Sequence, residues 1–158
     1  SPVTCSDVAL NYDLVANISN VGLGGNSLVV GTTYSWVAAD NPAVTGESTT
    51  PQTGSVINNT ITNISNANEQ VVYTVTPTSI NGCVGNPFTV TVTVRPEPKG
   101  FNDTTPITCS DVAFNYDLTT NIANTGAGGN NLVAGTTYSW VAAANAFVAG
   151  ESTSAQSG

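Results

Sequence analysis

The chain has 158 residues, and its ten acidic side chains face only two basic ones, Arg95 and Lys99, for a formal net charge of −8. That field repels phosphate backbones and anionic lipid headgroups, which excludes nucleic-acid binding and attraction to membrane surfaces. Thr, Val, Asn, Ser and Gly dominate while His and Met are absent, a β-sheet profile rich in turn formers with enough apolar residues for a core. No apolar run approaches the roughly 20 residues of a membrane helix.

In chain order, the first strand candidates are Val8 to Leu14, Thr32 to Ala38 and Val56 to Ile64, separated by Gly- and Pro-containing segments at Gly22 to Asn26 and Asn41 to Gly54. Val71, Tyr73 and Val75 then alternate with Val72, Thr74 and Thr76. Phe88 to Val94 alternates strictly, putting Phe88, Val90, Val92 and Val94 on one sheet face. An Asn81-Gly82 turn signal lies between these runs, so the last two strands are expected to pair antiparallel. Strand spacing of this kind predicts an antiparallel β-sandwich. Arg95-Pro96-Glu97-Pro98-Lys99-Gly100 reads as an extended connector, because proline lacks an amide donor.

The strongest signal is an internal repeat. Val3 to Gly54 aligns without a gap to Ile107 to Gly158 with identity at roughly 36 of 52 positions, a period of about 104 residues. Cys5 matches Cys109, Asn11-Tyr12-Asp13-Leu14 matches Asn115-Tyr116-Asp117-Leu118, Tyr34-Ser35-Trp36 matches Tyr138-Ser139-Trp140, and Gly46-Glu47-Ser48-Thr49 matches Gly150-Glu151-Ser152-Thr153. The expected organisation is a complete repeat over residues 1–95, a Pro-containing linker over 96–106 and the first half of a second repeat over 107–158. Without an initiator Met, the chain reads as a processed or excised segment.

The three cysteines follow the same scheme. Cys5 and Cys83 are expected to pair within the complete repeat, closing a loop of roughly 78 residues worth about 3 to 5 kcal/mol, while Cys109 stays unpaired within the chain.

At Tyr34-Ser35-Trp36, at Asn81-Gly82-Cys83 and at the Thr-Val alternation ending in Arg95-Pro96, the sequence resembles the PKD-like and immunoglobulin-like repeats of large secreted Bacteroidetes proteins. The likeness spans the whole repeat. It implies tandem all-β immunoglobulin-like (PKD-like) sandwiches and a place in the cell-surface adhesins of gliding motility and attachment exported by the type IX secretion system. Ordinary PKD domains follow the aromatic strand with a Gly-Asp-Gly type motif, whereas this chain reads Trp36-Val37-Ala38-Ala39-Asp40, so no role of that motif is carried over.

The conspicuous side chains admit two readings each. Tyr34 and Trp36, with Tyr138 and Trp140 in the second copy, are expected in the sandwich core, the alternative being an aromatic platform for sugar. Acidic residues read as solvated surface, with Glu97, Asn102 and Asp103 near the linker as the candidate calcium ligands. Zinc lacks both His and a Cys-x-x-Cys spacing. Asp103-Thr104-Thr105 resembles the short O-glycosylation motif of Bacteroidetes and marks Thr104, while the Asn-x-Ser/Thr triplets at Asn17, Asn58, Asn63 and Asn102 arise by composition. Catalysis has no footing: Ser and Cys nucleophiles lack a His partner, and the single lysine lies in the linker.

The expected function is a non-enzymatic stalk or spacer segment of a repetitive extracellular adhesin, requiring no cofactor and partnered by neighbouring repeats or identical chains. Two alternatives stand beside it. One is a filament subunit completed by strand exchange, because the second copy lacks equivalents of Ile57, Val71 to Val75 and Phe88 to Val94. The other is a carbohydrate-binding module using Phe101 and Phe147 on surface glycans.

Overall fold

The computed structural model describes residues 1–18, 29–100, 104, 107–119 and 133–158. The backbone divides into two compact units, the first covering Ser1–Glu97 and the second beginning at Pro98.

In the first unit the strands are β1 (Val3–Cys5), β2 (Tyr12–Asp13), β3 (Thr33–Ala38), β4 (Val44–Thr45), β5 (Gln52–Thr53), β6 (Val56–Ile57), β7 (Thr62–Asn63), β8 (Glu69–Thr78) and β9 (Phe88–Arg95), with a short helix α1 (Leu14–Ile18) after β2. Five of them form one sheet in the order β1-β9-β8-β3-β5. Its centre is antiparallel, with Val71 opposite Val92, Tyr73 opposite Val90 and Trp36 opposite Val75. The short β1 runs parallel to β9, Cys5 lying opposite Arg95. The pairs β2-β6 and β4-β7 supply further antiparallel pairings.

Period-two patterning explains the core. Tyr34, Trp36 and Ala38 of β3, Val71, Tyr73 and Val75 of β8, and Val90, Val92 and Val94 of β9 all point inward. Leu14, Val44, Ile57 and Ile61 meet them in one cluster. At about 1.5 to 3 kcal/mol for each fully buried aliphatic or aromatic side chain, this cluster is the main source of stability. The fold is an all-β, immunoglobulin-like sandwich.

Two expected strands are interrupted. Val8 to Leu14 yields only β2, because Asp7 and Asn11 adopt left-handed φ values of 62° and 48° and Asp13 caps α1. The Asp13 Oδ1 accepts from the Val15 and Ala16 amides at 2.8 and 3.1 Å, as an N-cap aspartate does. Val56 to Ile64 splits into β6 and β7, with Thr60 between them bridging to Ala9.

The second unit contains β10 (Ser139–Trp140) and β11 (Gln156–Ser157), paired antiparallel with Trp140 opposite Gln156. This repeats the β3-β5 register, in which Trp36 lies opposite Gln52.

Candidate functional site

Trp36 is 5 % exposed and meets Tyr73 edge to face, with ring centroids 5.8 Å apart and planes at 75°, the geometry that aromatic quadrupoles favour. Its Nε1 is the one buried side-chain N or O among the described residues without a hydrogen-bond partner. The Tyr73 hydroxyl donates to Asn59 Oδ1 at 2.9 Å, and Asn59 Nδ2 donates to Ser48 Oγ at 2.8 Å. Burial, and after it the Glu47 carboxylate, pushes the Tyr73 phenol above its ordinary range, so it stays a neutral donor. This is a locked structural network: the ring is buried and offers no face to a sugar.

A shallow groove beside the start of β3 is lined by Thr32, Thr33, Tyr34, Ser35, Thr53, Gly54, Ser55 and Thr78. It presents hydroxyls and backbone, with no carboxylate, thiol or ammonium to act as acid, base or nucleophile.

The expected Cys5–Cys83 bridge is not formed: both thiols are free and exposed, as is Cys109. Topology gives the reason. Cys5 lies opposite Arg95 at the end of β9, whereas Cys83 sits in the turn that precedes Phe88, where β9 begins. Strand rise over β9 separates them by more than roughly 20 Å, while a disulfide needs Cα atoms within about 7 Å. A cysteine count does not reveal the parallel placement of β1 beside β9.

The aromatic pair of the second copy also departs from its expected core position. Trp140 is 44 % exposed and Tyr138 only half-buried, and among the described residues no strand equivalent to β8 covers them. Phe147, the counterpart of Ala43, is fully exposed in a turn.

Around the linker, Thr104 is exposed; Phe101, Asn102 and Asp103 lie outside the described residues, and Glu97 makes interactions of its own. Among the described residues no group of three or more Asp, Glu, His or Cys side chains gathers to hold a metal. No helix among them is long and apolar enough to cross a membrane.

Two structural positions escaped the sequence reading. Asn63, read there only as a chance glycosylation triplet, is 1 % exposed and donates from Nδ2 to the Val94 and Ala67 carbonyls at 2.9 and 2.8 Å. It thereby ties β7 to β9. Gly46, at φ 93°, approaches the Thr60 carbonyl so closely that a Cβ would sit 2.3 Å from its oxygen. Its presence in both copies, as Gly46 and Gly150, was the available signal.

An all-β sandwich with a structural aromatic centre defines an immunoglobulin-like module. The model of the PKD-like domain matches the chain twice, over residues 2–98 and 106–158, and the chain belongs to that family. No curated protein and no solved structure matches it significantly.

Proposed function

We propose that this chain is a structural spacer segment of a large, repetitive extracellular adhesin on a bacterial cell surface, of the gliding-motility type exported by the type IX secretion system. The observation that carries this reading is the repetition itself: one PKD-like module matches before the Pro-containing connector and again after it. Such a module contributes length and resistance to unfolding, and adhesive specificity resides in other domains.

Three features support the reading. The core of the first unit closes on itself around Trp36, Tyr73 and Ile57. The described groove is lined by hydroxyls and backbone, which supports a structural role for the segment. Sparse charge with a net −8 keeps neighbouring copies from associating nonspecifically.

An antibody raised against Ser1–Glu97 tests it on intact and on denatured, reduced cells of the source organism. Surface labelling, together with a polypeptide many times larger than the 16.0 kDa of this segment, is the expected result. A discrete intracellular product near that mass would overturn it.

A further inference from the structure

The first and last strands of the first unit are neighbours that run the same way. β1 and β9 pair in parallel, with Val3 opposite Thr93 and Cys5 opposite Arg95. The Thr93 amide donates to the Pro2 carbonyl at 3.0 Å where β1 begins, and the Ser6 amide donates to the Arg95 carbonyl at 2.9 Å where it ends. The chain therefore enters this pair beside Thr93 and leaves it beyond Arg95, at opposite ends of one short ladder. An antiparallel terminal pair would put entry and exit at the same end.

That difference decides how tension is borne. When the chain is drawn from before Val3 and from after Arg95, the two strands are pulled past each other along their axes, and the ladder bonds must fail together. Strands pulled from one shared end peel apart, and each bond fails in turn. A single hydrogen bond exchanged against water is weak, so a ladder this short resists tension only when its bonds share the load.

Buried polar side chains back the ladder. Among the described residues they are Thr4, Ser6 and Asn63, at 9 %, 4 % and 1 % exposure, and all three gather at this junction. The Asn63 amide donates to Ser6 Oγ at 3.0 Å, and Asn63 Nδ2 donates to the Val94 carbonyl at 2.9 Å. From β7, Asn63 thus holds the end of β1 and the end of β9 at once. One strand cannot slide past the other without breaking one of these bonds and leaving a buried polar group unpaired, which is costly. Just beyond, the Asp7 amide donates to the Ile61 carbonyl at 2.8 Å and Thr62 Oγ1 donates to Asp7 Oδ1, fastening the segment after β1 to the same region.

We propose that the parallel β1–β9 ladder, locked from behind by Asn63 and Ser6, is a mechanical clamp that sets the force at which the first unit unfolds under tension along the chain. The inference rests on the spacer reading and deepens it, assigning the load-bearing role to particular bonds. Tension, not a ligand, is what this site responds to.

Single-molecule force spectroscopy on the full 158-residue chain tests the clamp in two pulling geometries. In a Cys5→Ser, Cys109→Ser chain Cys83 is the remaining thiol. One handle is fixed at the amino end, and the other is attached either at the carboxyl end or at Cys83. Because Cys83 lies before the start of β9, the second pull folds the start of β1 back along its own direction and peels it away from Thr93 first. In the end-to-end pull the first unit is recognised by its release of roughly 300 Å of chain. The end-to-end unfolding force is expected to be at least about twofold the peeling force, although the folded protein is the same. Ser6→Ala and Asn63→Ala should each lower the end-to-end force more than the peeling force, so that the ratio falls. A general loss of stability would lower both together.

Equal forces in the two geometries, or a ratio that both variants leave unchanged, would overturn the clamp. The comparison of geometries needs neither variant, so it decides even where Asn63→Ala does not fold. Equal forces in a surface-labelled, very large polypeptide would remove the clamp and leave the spacer reading. A discrete intracellular product would remove the spacer reading and leave the force difference standing.

Discussion

Trp36 and Trp140 stand at the same place in two copies of one strand, each opposite a glutamine, yet one is 5 % and the other 44 % exposed. Around them the local backbone is nearly identical. Asp7 and Asp111 adopt φ of 62° and 61°, Gly31 and Gly135 of 78° and 80°, and Gly46 and Gly150 of 93° and 90°. Turns and short pairings are therefore encoded within about fifty residues and form in either setting. Burial is not: it arrives with β8 and β9, whose partners in sequence lie far away. The two units separate what local sequence specifies from what only a closed sandwich supplies.

The largest expected effect contrasts the two tryptophans directly. Trp36→Ala empties a packed site and should destabilise the first unit by about 3 to 5 kcal/mol, whereas Trp140→Ala should cost less than about 1 kcal/mol. Urea denaturation of the full chain, followed by far-ultraviolet circular dichroism, measures both. Equal losses would mean that the second unit buries its aromatic as the first does.

Next in size are the paired glycines. Both Gly46→Ala and Gly150→Ala force a side chain into a left-handed conformation, at about 1 to 2 kcal/mol. Only at Gly46 would the new Cβ also meet the Thr60 carbonyl, while nothing lies within 4 Å at Gly150. Gly46→Ala should therefore cost the first unit roughly 3 kcal/mol in all. A Gly150→Ala loss as large would show that the second turn is backed by a segment like Thr60–Ile61.

The same division explains what was legible in the sequence. β3, β8 and β9 were readable from period-two alternation because each buries one face, and the Asn81-Gly82 turn announced their hairpin. Leu14 looks like a strand residue in sequence, but its burial is helical, fixed by the Asp13 cap, whose side-chain bonds no hydrophobic pattern reveals. The break at Asn58–Ile61 was equally silent, since Ile57 and Ile61 are both fully buried and mimic a continuous run. Cysteine count alone pairs Cys5 with Cys83. Their separation depends on β1 docking beside the end of β9, a nonlocal contact that no spacing rule contains.

A smaller effect probes whether a local device survives without closure. The Glu47 carboxylate accepts from the Asn41 amide at 3.2 Å, and Glu151 accepts from Asn145 at 3.1 Å. The Asn145 amide, and with it Glu151's own backbone, holds the Glu151 carboxyl below its ordinary value. Because the folded value lies below the unfolded one, the contribution is fully present above the ordinary carboxylate range and is lost as pH falls through the lowered value. Nuclear magnetic resonance should show the Asn145 amide shifting on acidification with a midpoint below that of a free glutamate, and Glu151→Gln should abolish the titration. An amide that does not titrate would mean the turn forms only in a closed sandwich.

The smallest expected effect is none at all, and it bears on how the first unit is held together. A bridge closing the loop from Cys5 to Cys83 would contribute about 3 to 5 kcal/mol by restricting the unfolded chain. With Cys5 beside Arg95 and Cys83 at the far end of β9, no such restriction exists, and the core must supply the stability by itself. Cys83→Ser and Cys5→Ser should each leave the unfolding midpoint unchanged, under reducing and oxidising conditions alike. Cys109→Ser should behave in the same way, because all three thiols are exposed and none packs in the core. A drop of several kcal/mol on losing Cys83, seen only under oxidising conditions, would require β1 to run toward the opposite end of the sheet. That would break the parallel pairing with β9 from which the separation of the two thiols follows.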